Sequence, residues 1–321
     1  MVLTRRTARV SICVVGRLDD PHACAVVEAV QRRNGRLVLV DAEELSKADL
    51  LLSSDRVVLP DLTGALVELS GGRGWLRRLA PEHWHADLVA GEHEAVVRSA
   101  WVTALLAACA SAGLEWLSPV ETLYSTEDKL MQQRACQATG IDYPPTVVVT
   151  RPERIPAELG DELVVKPLGM GYYRDATGIG RVVHATKMSR GDDHLALLAG
   201  APFLVQKYVP SRTHLRVVTV RDSHWVSELD AEGLPVDWRA DEAAHTSFRP
   251  GSHATVGERA VAVAAHLGVG YSSQDWIIDR GGTPIFLDLN PAGQWLFLPS
   301  QIADRVTEAI ADWLVCGTRS S

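Results

Sequence analysis

The chain opens with two short apolar runs that flank a helical pattern. Residues 10–15 and 37–41 are rich in Val, Ile and Leu, as buried strands are. Between them, residues 21–33 carry apolar positions at helical spacing, and Asn34-Gly35 marks a turn. A strand, a helix and a second strand in this order predict a parallel sheet at the start of the protein.

The next pattern predicts a long helix and the end of a first domain. Apolar residues recur at helical spacing over residues 92–113, and a glycine at 113 is a typical helix end. Pro119 follows shortly afterwards. We therefore expect an N-terminal α/β domain over residues 1–119. Within it, the glycine-rich residues 71–74 follow no clear strand and are expected to form a loop.

A helix and a set of short strands come next. Amphipathic spacing predicts a helix that ends at Gly140, with Ser125 or Thr126 as its N-cap. The β-branched content then rises, and short apolar runs predict antiparallel strands of a second lobe. These runs cover residues 146–150, 163–166, 203–206 and 215–220. We expect a central domain over residues 120–210.

The last third alternates helices with a predicted hairpin. A helix is expected over residues 256–267 and a closing amphipathic helix over residues 302–314. Between them, two strand-like runs flank Gly281-Gly282, which favours a tight turn. The runs cover residues 275–279 and 284–289. We expect a C-terminal domain over residues 211–321.

Composition narrows the classes of protein to consider. The 321 residues are 46% hydrophobic and carry a formal net charge of −8, which argues against nucleic acid as the main partner. Five cysteines are widely spaced without any C-x-x-C pair, so reduced thiols are expected rather than disulfides. The first apolar run is too short for a signal sequence or a membrane span. These features favour a cytoplasmic protein without a membrane partner.

Two lysines and a glycine-rich segment suggest an anion site. Lys129 stands at the start of a predicted helix, and Lys166 ends a very apolar strand directly before Gly169 and Gly171. An ammonium group in an apolar site needs an anionic partner, and glycine lets backbone N–H groups approach a phosphate closely. The alternative is that Lys166 is a solvent-facing lysine before a glycine turn.

Acidic and amide side chains follow the predicted hairpin. Asp275 opens one strand, while Asp288 and Asn290 close the next, so strand alternation can place all three on one side. Oxygen ligands of this kind suit Mg²⁺, which proteins usually hold with one or two carboxylates plus substrate phosphates. The alternative is ordinary turn chemistry, in which Asp, Asn and Pro are common.

Taken in chain order, these features resemble the ATP-grasp superfamily over roughly residues 115–315. The resemblance implies an α/β fold in which an N-terminal parallel-sheet lobe precedes two lobes that enclose ATP. It implies that Lys129 and Lys166 contact the nucleotide phosphates under a flap at Gly169 and Gly171. The implied adenine hinge is Gln206, Lys207, Tyr208 and Val209, with His214 at the ribose. Asp275, Asp288 and Asn290 would hold two Mg²⁺ ions, for which Mn²⁺ could substitute, and Arg216 would stabilise the transferring phosphoryl group together with Lys166.

A finer resemblance points to the RimK-like branch and, inside it, to maturases of graspetides, the microviridin-type peptides. It is carried by residues 290–295, 236–239, 92–94 and 116–119. It implies a precursor peptide with a leader segment as partner, and side-chain ester or amide crosslinks as product. Asp237, Trp238 and Arg239 would bind that substrate, because Arg239 offers a planar fork for a carboxylate. The alternative is a solvated hairpin tip.

Other readings of the sequence stay open. A RimK-like ligase would add an amino acid to a small molecule or to a protein carboxylate, and an ATP-grasp kinase or a non-catalytic nucleotide-binding protein would use the same cradle. A homodimer is also compatible with the sequence. His83, His85 and His93 cluster near one another, but their spacing differs from that of a helical zinc motif, so a metal site is not expected there.

Three positions depart from the family pattern. Lys207 stands where the hinge commonly has Glu, which is tolerable because the hinge acts through its backbone. His214 stands where an acid commonly binds the ribose, which puts ribose recognition in doubt. Asp288 replaces the usual metal-bridging Glu, so the metal ions would sit closer to the strand.

Overall fold

A computed structural model describes most of the chain. It covers residues 8–316 except 18, 34, 36, 42–50, 55, 62–64, 79–93, 112, 169–170, 175–178 and 199. The expectations for His83, His85 and His93 lie outside the described residues. In the described part, no helix combines the length and apolar character needed to cross a membrane.

The first sheet contains six strands in a mixed arrangement. Its order is β2-β1-β5-β4-β3, and β6 pairs with β5 beyond the end of β4. The strands are β1 (Ala8–Gly16), β2 (Val38–Asp41), β3 (Leu51–Leu52), β4 (Val57–Pro60), β5 (Leu66–Leu76) and β6 (Glu115–Trp116). The predicted parallel pairing holds for β1 with β2 and with β5. The pairs β3–β4 and β4–β5 are antiparallel instead, because their short connections permit only antiparallel neighbours.

The glycine-rich residues 71–74 do not form the predicted loop. They lie inside β5, where Gly71 and Gly72 have positive φ angles of 65° and 94° and the register with β1 shifts. At Gly74 a side chain would collide with the indole ring of Trp116, at 2.6 Å. Glycine therefore lets this strand bend and leaves room for the indole ring of Trp116, whereas the prediction took the same glycines as signs of a loop.

Three helices follow β5 along the chain, the first of them before β6. They are α2 (Glu94–Ser111), α3 (Val120–Glu127) and α4 (Lys129–Thr139). The predicted N-caps Ser125 and Thr126 are wrong, because both residues lie in α3. Asp128 caps α4 instead, accepting hydrogen bonds from the backbone N–H groups of Leu130 at 2.8 Å and Met131 at 3.4 Å. The predicted end at Gly140 is confirmed, with a left-handed φ of 67°.

A second sheet is antiparallel and has the order β11-β8-β12-β7. Its strands are β7 (Thr146–Val149), β8 (Glu162–Pro167), β11 (Thr186–Ser189) and β12 (Phe203–Lys207). A separate two-stranded ribbon joins β9 (Tyr172–Arg174) to β10 (Gly180–Val182). This sheet accounts for three of the four predicted runs, since residues 215–220 pair elsewhere.

Residues 215–220 belong to the third sheet, which has the antiparallel order β15-β14-β13-β16-β17. Its strands are β13 (Ser211–Val220), β14 (Ser223–Asp230), β15 (Arg249–Pro250), β16 (Tyr271–Asp279) and β17 (Pro284–Asn290). The helices of this part are α5 (Glu242–Thr246), α6 (Ala254–His266) and α7 (Ser300–Cys316). The predicted hairpin, with its Gly281-Gly282 turn, is present as β16 and β17.

The largest hydrophobic cluster joins the two ends of the chain. It contains Ile12 and Val14 of β1 together with Val306, Ile310 and Leu314 of α7. Helix α1 (Pro21–Arg32) packs against α7 and continues the cluster. The N-terminal sheet and the third sheet therefore share one core, while the domain limits at residues 119 and 210 stay predictions.

Candidate active site

A cavity of about 920 Å³ lies between the second and third sheets. Most of the predicted site residues line it. They are Lys129, Lys166, Gly171, Gln206, Lys207, Tyr208, Val209, His214, Asp237, Trp238, Arg239, Asp275 and Asp288. Arg216 is buried beside the cavity and Asn290 is exposed at the end of β17, whereas Gly169 lies outside the described residues.

Two ammonium groups enter this cavity from different elements. Lys129 is the first residue of α4, and its Nζ contacts the carboxylate of Asp288. Lys166 comes near the end of β8, where burial lowers its pKa although the charge of Asp288 opposes that shift. No carboxylate of the described residues lies within ion-pair distance of Lys166. The cavity therefore holds a basic group without a carboxylate partner among the described residues, which fits an anionic ligand such as a phosphate.

The hairpin places its two carboxylates side by side. Asp275 lies in the middle of β16, not at its start as predicted, and pairs with Asp288 of β17. A bulge follows this pair, so Leu287 and Asp288 both reach the cavity. Asn290 lies two residues beyond Asp288, and its Oδ1 accepts the N–H of Ala292 at 2.8 Å.

Asp275 lies between two guanidinium groups. Arg216 is its cross-strand partner on β13 and donates from Nη1 to Oδ1 at 2.9 Å, while Arg239 contacts Oδ2. Burial alone would raise the pKa of Asp275, but the charges of Arg239 and Arg216 together hold it well below its usual range. The carboxylate is therefore ionised at neutral pH, and both of its oxygens are already in use.

Arg239 contacts a second acid, Asp237, and lies over the indole ring of Trp238. Asp237 accepts hydrogen bonds from the Arg239 backbone N–H at 3.2 Å and from its Nη1 at 3.0 Å. Trp238 is only 4% exposed and packs against Phe248 and Phe297, with ring centroids 5.0 and 5.7 Å away. These ring contacts hold the turn of residues 237–239 in place. A solvated hairpin tip does not describe Arg239, because its guanidinium reaches Asp275 in the cavity.

The segment from Gln206 to Val209 forms one edge of the cavity. Lys207 donates its backbone N–H to the carbonyl of Pro145 at 2.9 Å, and its position pairs with Pro145 when the β7–β12 register is extended by one residue. Proline has no N–H, so Pro145 cannot return a ladder hydrogen bond to the Lys207 carbonyl. That carbonyl is left available to a donor in the cavity.

Apolar side chains and a histidine complete this end of the cavity. Val164 lines it from the second sheet, while Ile277 and Leu287 line it from the third. His214 is 7% exposed, and burial lowers its pKa while Asp275 opposes that shift. A neutral imidazole offers one donor and one acceptor, so it can hydrogen-bond a hydroxyl group without adding charge.

Sequence reasoning missed a clamp on residues 292–296, directly after the predicted metal ligands. Arg77 donates to the carbonyl of Ala292, Tyr271 to that of Gly293 at 2.8 Å, and Arg216 to that of Gln294 at 3.2 Å. His22 then accepts the N–H groups of Trp295 at 3.1 Å and Leu296 at 3.3 Å. Four side chains therefore hold the segment that follows Asn290.

Two members of this clamp, Arg77 and His22, come from the N-terminal part of the chain, and His22 lies on α1. Arg77 follows β5, is 2% exposed and forms an ion pair with Asp20 at 3.1 Å. Asp20 in turn contacts Nδ1 of His22 at 3.1 Å. The sequence signal was an arginine directly after a strand, but its partner Ala292 lies 215 positions away and no local pattern indicates that contact.

The acids fit a magnesium site better than a zinc site. In the described ranges, no three His, Cys, Asp or Glu side chains converge as a metal cluster. Mg²⁺ is usually held by one or two carboxylates, water and substrate phosphates, and Asp275, Asp288 and Asn290 supply oxygens of that kind. A metal ion at Asp275 would share Oδ2 with Arg239 or displace it.

Comparisons with known proteins bear on the fold. No family model matches the chain, and no curated protein matches it. The RiPP-associated ATP-grasp ligase of Chryseobacterium gregarium, solved with ADP and a leader and core peptide, has a TM-score of 0.82 at 17% identity, with 96% of each chain covered.

Two further solved structures are similar over nearly the whole chain. The macrocyclase MdnC of Microcystis aeruginosa, bound with the precursor peptide MdnA, has a TM-score of 0.82 at 20% identity and covers 95% of this chain and 99% of its own. A RimK domain ATP-grasp protein of Sphaerobacter thermophilus has a TM-score of 0.59 at 18% identity and covers 95% and 99%. The chain therefore has the ATP-grasp fold, as the order of its motifs predicted.

Proposed function

We propose that the protein is an ATP-dependent, ADP-forming carboxylate ligase that builds ester or amide crosslinks between side chains of a precursor peptide. The observation that carries this proposal is that one cavity brings three features together. They are Lys166, the ion pair between Lys129 and Asp288, and Asp275 with its partners Arg216 and Arg239. Phosphate-binding cations, metal-binding acids and a carboxylate-binding arginine thus meet in one place. We also place this activity in the cytoplasm, where ATP and reduced thiols are available.

The cavity has a suitable surface for each part of ATP. Val164 of the second sheet lines the same cavity as Ile277 and Leu287 of the third, and these apolar side chains suit the flat faces of adenine. The carbonyl of Lys207, to which Pro145 can return no hydrogen bond, suits the adenine amino group, and Val209 lines the same cavity. His214 suits the ribose hydroxyls in place of the usual acid. Lys129 and Lys166 suit the phosphates.

Mg²⁺, or Mn²⁺ in its place, would be held by Asp275, Asp288 and Asn290. Such an ion neutralises phosphate charge and orients the phosphates for in-line transfer. Lys129 keeps Asp288 in place by a direct contact, and Arg216 does the same for Asp275.

The proposed reaction has two steps. A substrate carboxylate attacks the γ-phosphorus of ATP, the bond to the β-phosphate oxygen breaks, and ADP leaves behind an acyl phosphate. A hydroxyl or amine of the same peptide then attacks the acyl carbon, loses its proton and expels phosphate. Lys166 offsets the repulsion between the carboxylate and the γ-phosphate, while Arg216 stabilises the charge that develops on the transferring group.

Peptide recognition is assigned to Asp237, Trp238 and Arg239. Arg239 presents a planar fork on a rigid aromatic base, and a bidentate pair with a carboxylate would orient that group toward the phosphate. The ligase from C. gregarium and MdnC were both solved with peptides, which supports a peptide with a leader segment as the substrate class. Addition of a free amino acid is the second candidate, favoured by the likeness to the RimK domain protein.

Product analysis separates the two candidates. The purified protein is incubated with ATP and Mg²⁺ and either acidic peptides rich in Ser and Thr or free amino acids, and ADP release is measured with peptide mass. Peptide crosslinking predicts ADP release that depends on peptide and a mass loss of one water per bond. Stimulation only by free amino acids would reject the peptide assignment.

Substitution of Asp288 tests the proposed metal site, with a substitution of an exposed aspartate as its control. Asp288→Asn should abolish Mg²⁺-dependent ADP formation while the fold persists, because one bridging charge is lost from a formed strand. Asp304→Asn, an exposed position on α7, should keep ordinary turnover. Ordinary turnover by Asp288→Asn would remove the metal assignment.

A further inference from the structure

A buried glutamine joins the lysine-bearing helix to the strand of the proposed metal ligands. Gln132 lies on α4 and is 1% exposed. Its Nε2 donates to the carbonyl of Leu289 at 2.8 Å and to that of Thr126 at 2.7 Å. Its Oε1 accepts the N–H of Leu289 at 3.0 Å. The carboxamide therefore contacts both backbone groups of one strand residue.

This contact completes the edge of the third sheet. Strand β17 is the last strand of the order and pairs only with β16 within the described sheet, so its outer backbone groups need other partners. Gln132 supplies them at Leu289, in the way that a neighbouring strand would. The carbonyl of Asp142, beyond α4, does the same for the N–H of Phe286 at 2.9 Å.

The contact with Gln132 matters because of where Leu289 lies on β17. Leu289 lies between Asp288 and Asn290, and it is fully buried in the core on the opposite face of the strand. Lys129 stands three residues before Gln132, so both side chains leave the same face of α4. Lys129 reaches the Asp288 side chain, and Gln132 reaches the adjacent backbone. Two neighbouring contacts thus set α4 against the end of β17.

We propose that Gln132 is a positioning residue for the metal site: its carboxamide fixes the end of β17 against α4, so that Asp288, Asn290 and Lys129 keep their spacing to the same phosphates and metal ions. This inference rests on the proposed function, since it assumes that Asp288 and Asn290 bind Mg²⁺. Gln132 itself touches neither nucleotide nor peptide.

Removal of the carboxamide should weaken metal binding selectively. In Gln132→Leu the N–H and carbonyl of Leu289 lose their partners, and the strand end can shift toward water. We expect the Mg²⁺ concentration for half-maximal binding of a non-hydrolysable ATP analogue to rise about tenfold or more. Affinity for the same analogue in EDTA should change less than about twofold, because Lys166 and the hinge stay in place. Isothermal calorimetry measures both quantities without turnover.

A second variant keeps the volume and removes only the donor. Gln132→Glu still accepts the N–H of Leu289, but it turns a carboxylate toward the carbonyls of Leu289 and Thr126. We expect the same selective loss of Mg²⁺ dependence as in Gln132→Leu. Wild-type behaviour of Gln132→Glu would overturn the proposal, because the donated hydrogen bonds would then be unnecessary.

Controls keep this inference separable from the proposed function. Gln137→Leu removes an exposed glutamine of the same helix that contacts the hydroxyl of Tyr143, and it should leave both calorimetric quantities unchanged. If the wild type itself shows no Mg²⁺-dependent nucleotide binding, the proposed function fails. If the wild type shows it and Gln132→Leu matches the wild type, or weakens binding equally with and without metal, only the positioning role of Gln132 fails.

Discussion

Lys166 illustrates what a single side chain contributes at the residue scale. Its ammonium group lies in the cavity, its pKa is lowered by burial, and no described carboxylate pairs with it. A base whose pKa is lower in the folded than in the unfolded state is less stable when charged in the fold. Its unfavourable contribution is fully present below the folded pKa and disappears as the pH rises through the unfolded pKa. A ligand phosphate would offset that cost.

Replacement of this lysine should therefore separate binding from stability. We expect Lys166→Ala to weaken ATP affinity about tenfold or more, which is equivalent to about 1.4 kcal/mol, because a charge-assisted contact to phosphate is lost. The melting temperature of the ligand-free variant should stay the same or rise. Calorimetry and thermal melting measure the two effects, with Arg134→Ala as an exposed control on α4. A marked drop in the ligand-free melting temperature would make Lys166 a structural residue.

Substitution of Arg239 tests whether the proposed peptide recognition is separate from nucleotide chemistry. Arg239→Lys keeps a positive charge beside Asp275 but loses the planar fork, so product formation should fall about tenfold or more, or by about 1.4 kcal/mol of positioning. ATP affinity should not change. Mass spectrometry of the modified peptide and calorimetry with ATP give the two values. Equal loss of both would assign Arg239 to the nucleotide site, and no loss of either would leave it without a role in recognition.

At the scale of the element, the start of β7 shapes the proposed adenine hinge at Lys207. Pro145 faces Lys207 without an N–H to offer, which leaves the Lys207 carbonyl free. Pro145→Ala supplies that N–H, and the new ladder bond should compete with adenine for the carbonyl. We expect ATP affinity to fall about three- to tenfold, the range of one hydrogen bond of about 0.5–1.5 kcal/mol. Pro152→Ala, at the start of a short helical turn, is the proline control. Unchanged affinity would mean that adenine does not use this carbonyl.

The clamped segment after β17 allows a second test at this scale. A Cβ at Gly293 would lie 2.4 Å from Cβ of Ser273 and 3.0 Å from Nη2 of Arg216. Gly293→Ala must therefore displace the segment or the arginine, and we expect ADP formation to fall about tenfold or more. Gly191→Ala meets no atom within 4 Å and serves as control. Steady-state kinetics compare the two variants, and equal rates would show that the segment tolerates the shift.

At the scale of the whole molecule, α7 connects the first sheet to the third. Ile310 is fully buried in the cluster that also contains Val14 of β1, so both parts depend on it. Ile310→Ala should lower the free energy of unfolding by about 2–5 kcal/mol. Far-ultraviolet circular dichroism and tryptophan fluorescence should report one shared transition in denaturant. Arg305→Ala, exposed on the same helix, should change stability little. Separate transitions for the two parts would contradict a shared core.

Much of the fold, and several residues that line the cavity, were accessible from the sequence because they depend on local patterns. The helical spacing of α4 ends at a glycine that takes a left-handed conformation, as its chemistry predicts. The two runs around Gly281-Gly282 form the hairpin that carries Asp275 and Asp288, although a bulge next to Asp275 sets the two residues opposite each other. Each of these signals lies within a few residues of the structure that it predicts.

Only the tertiary structure decided how these parts are joined. Ser125 and Thr126 are good N-cap residues, but α3 takes them into a helix and leaves the cap to Asp128. Gln132 and Leu289 are 157 positions apart, and Arg77 and Ala292 are 215 apart. No periodicity along the chain relates such positions, since their contacts arise when separate elements pack and each buried polar group must find a partner. The sequence by itself therefore determined which elements and chemical groups are present, and packing determined which of them meet.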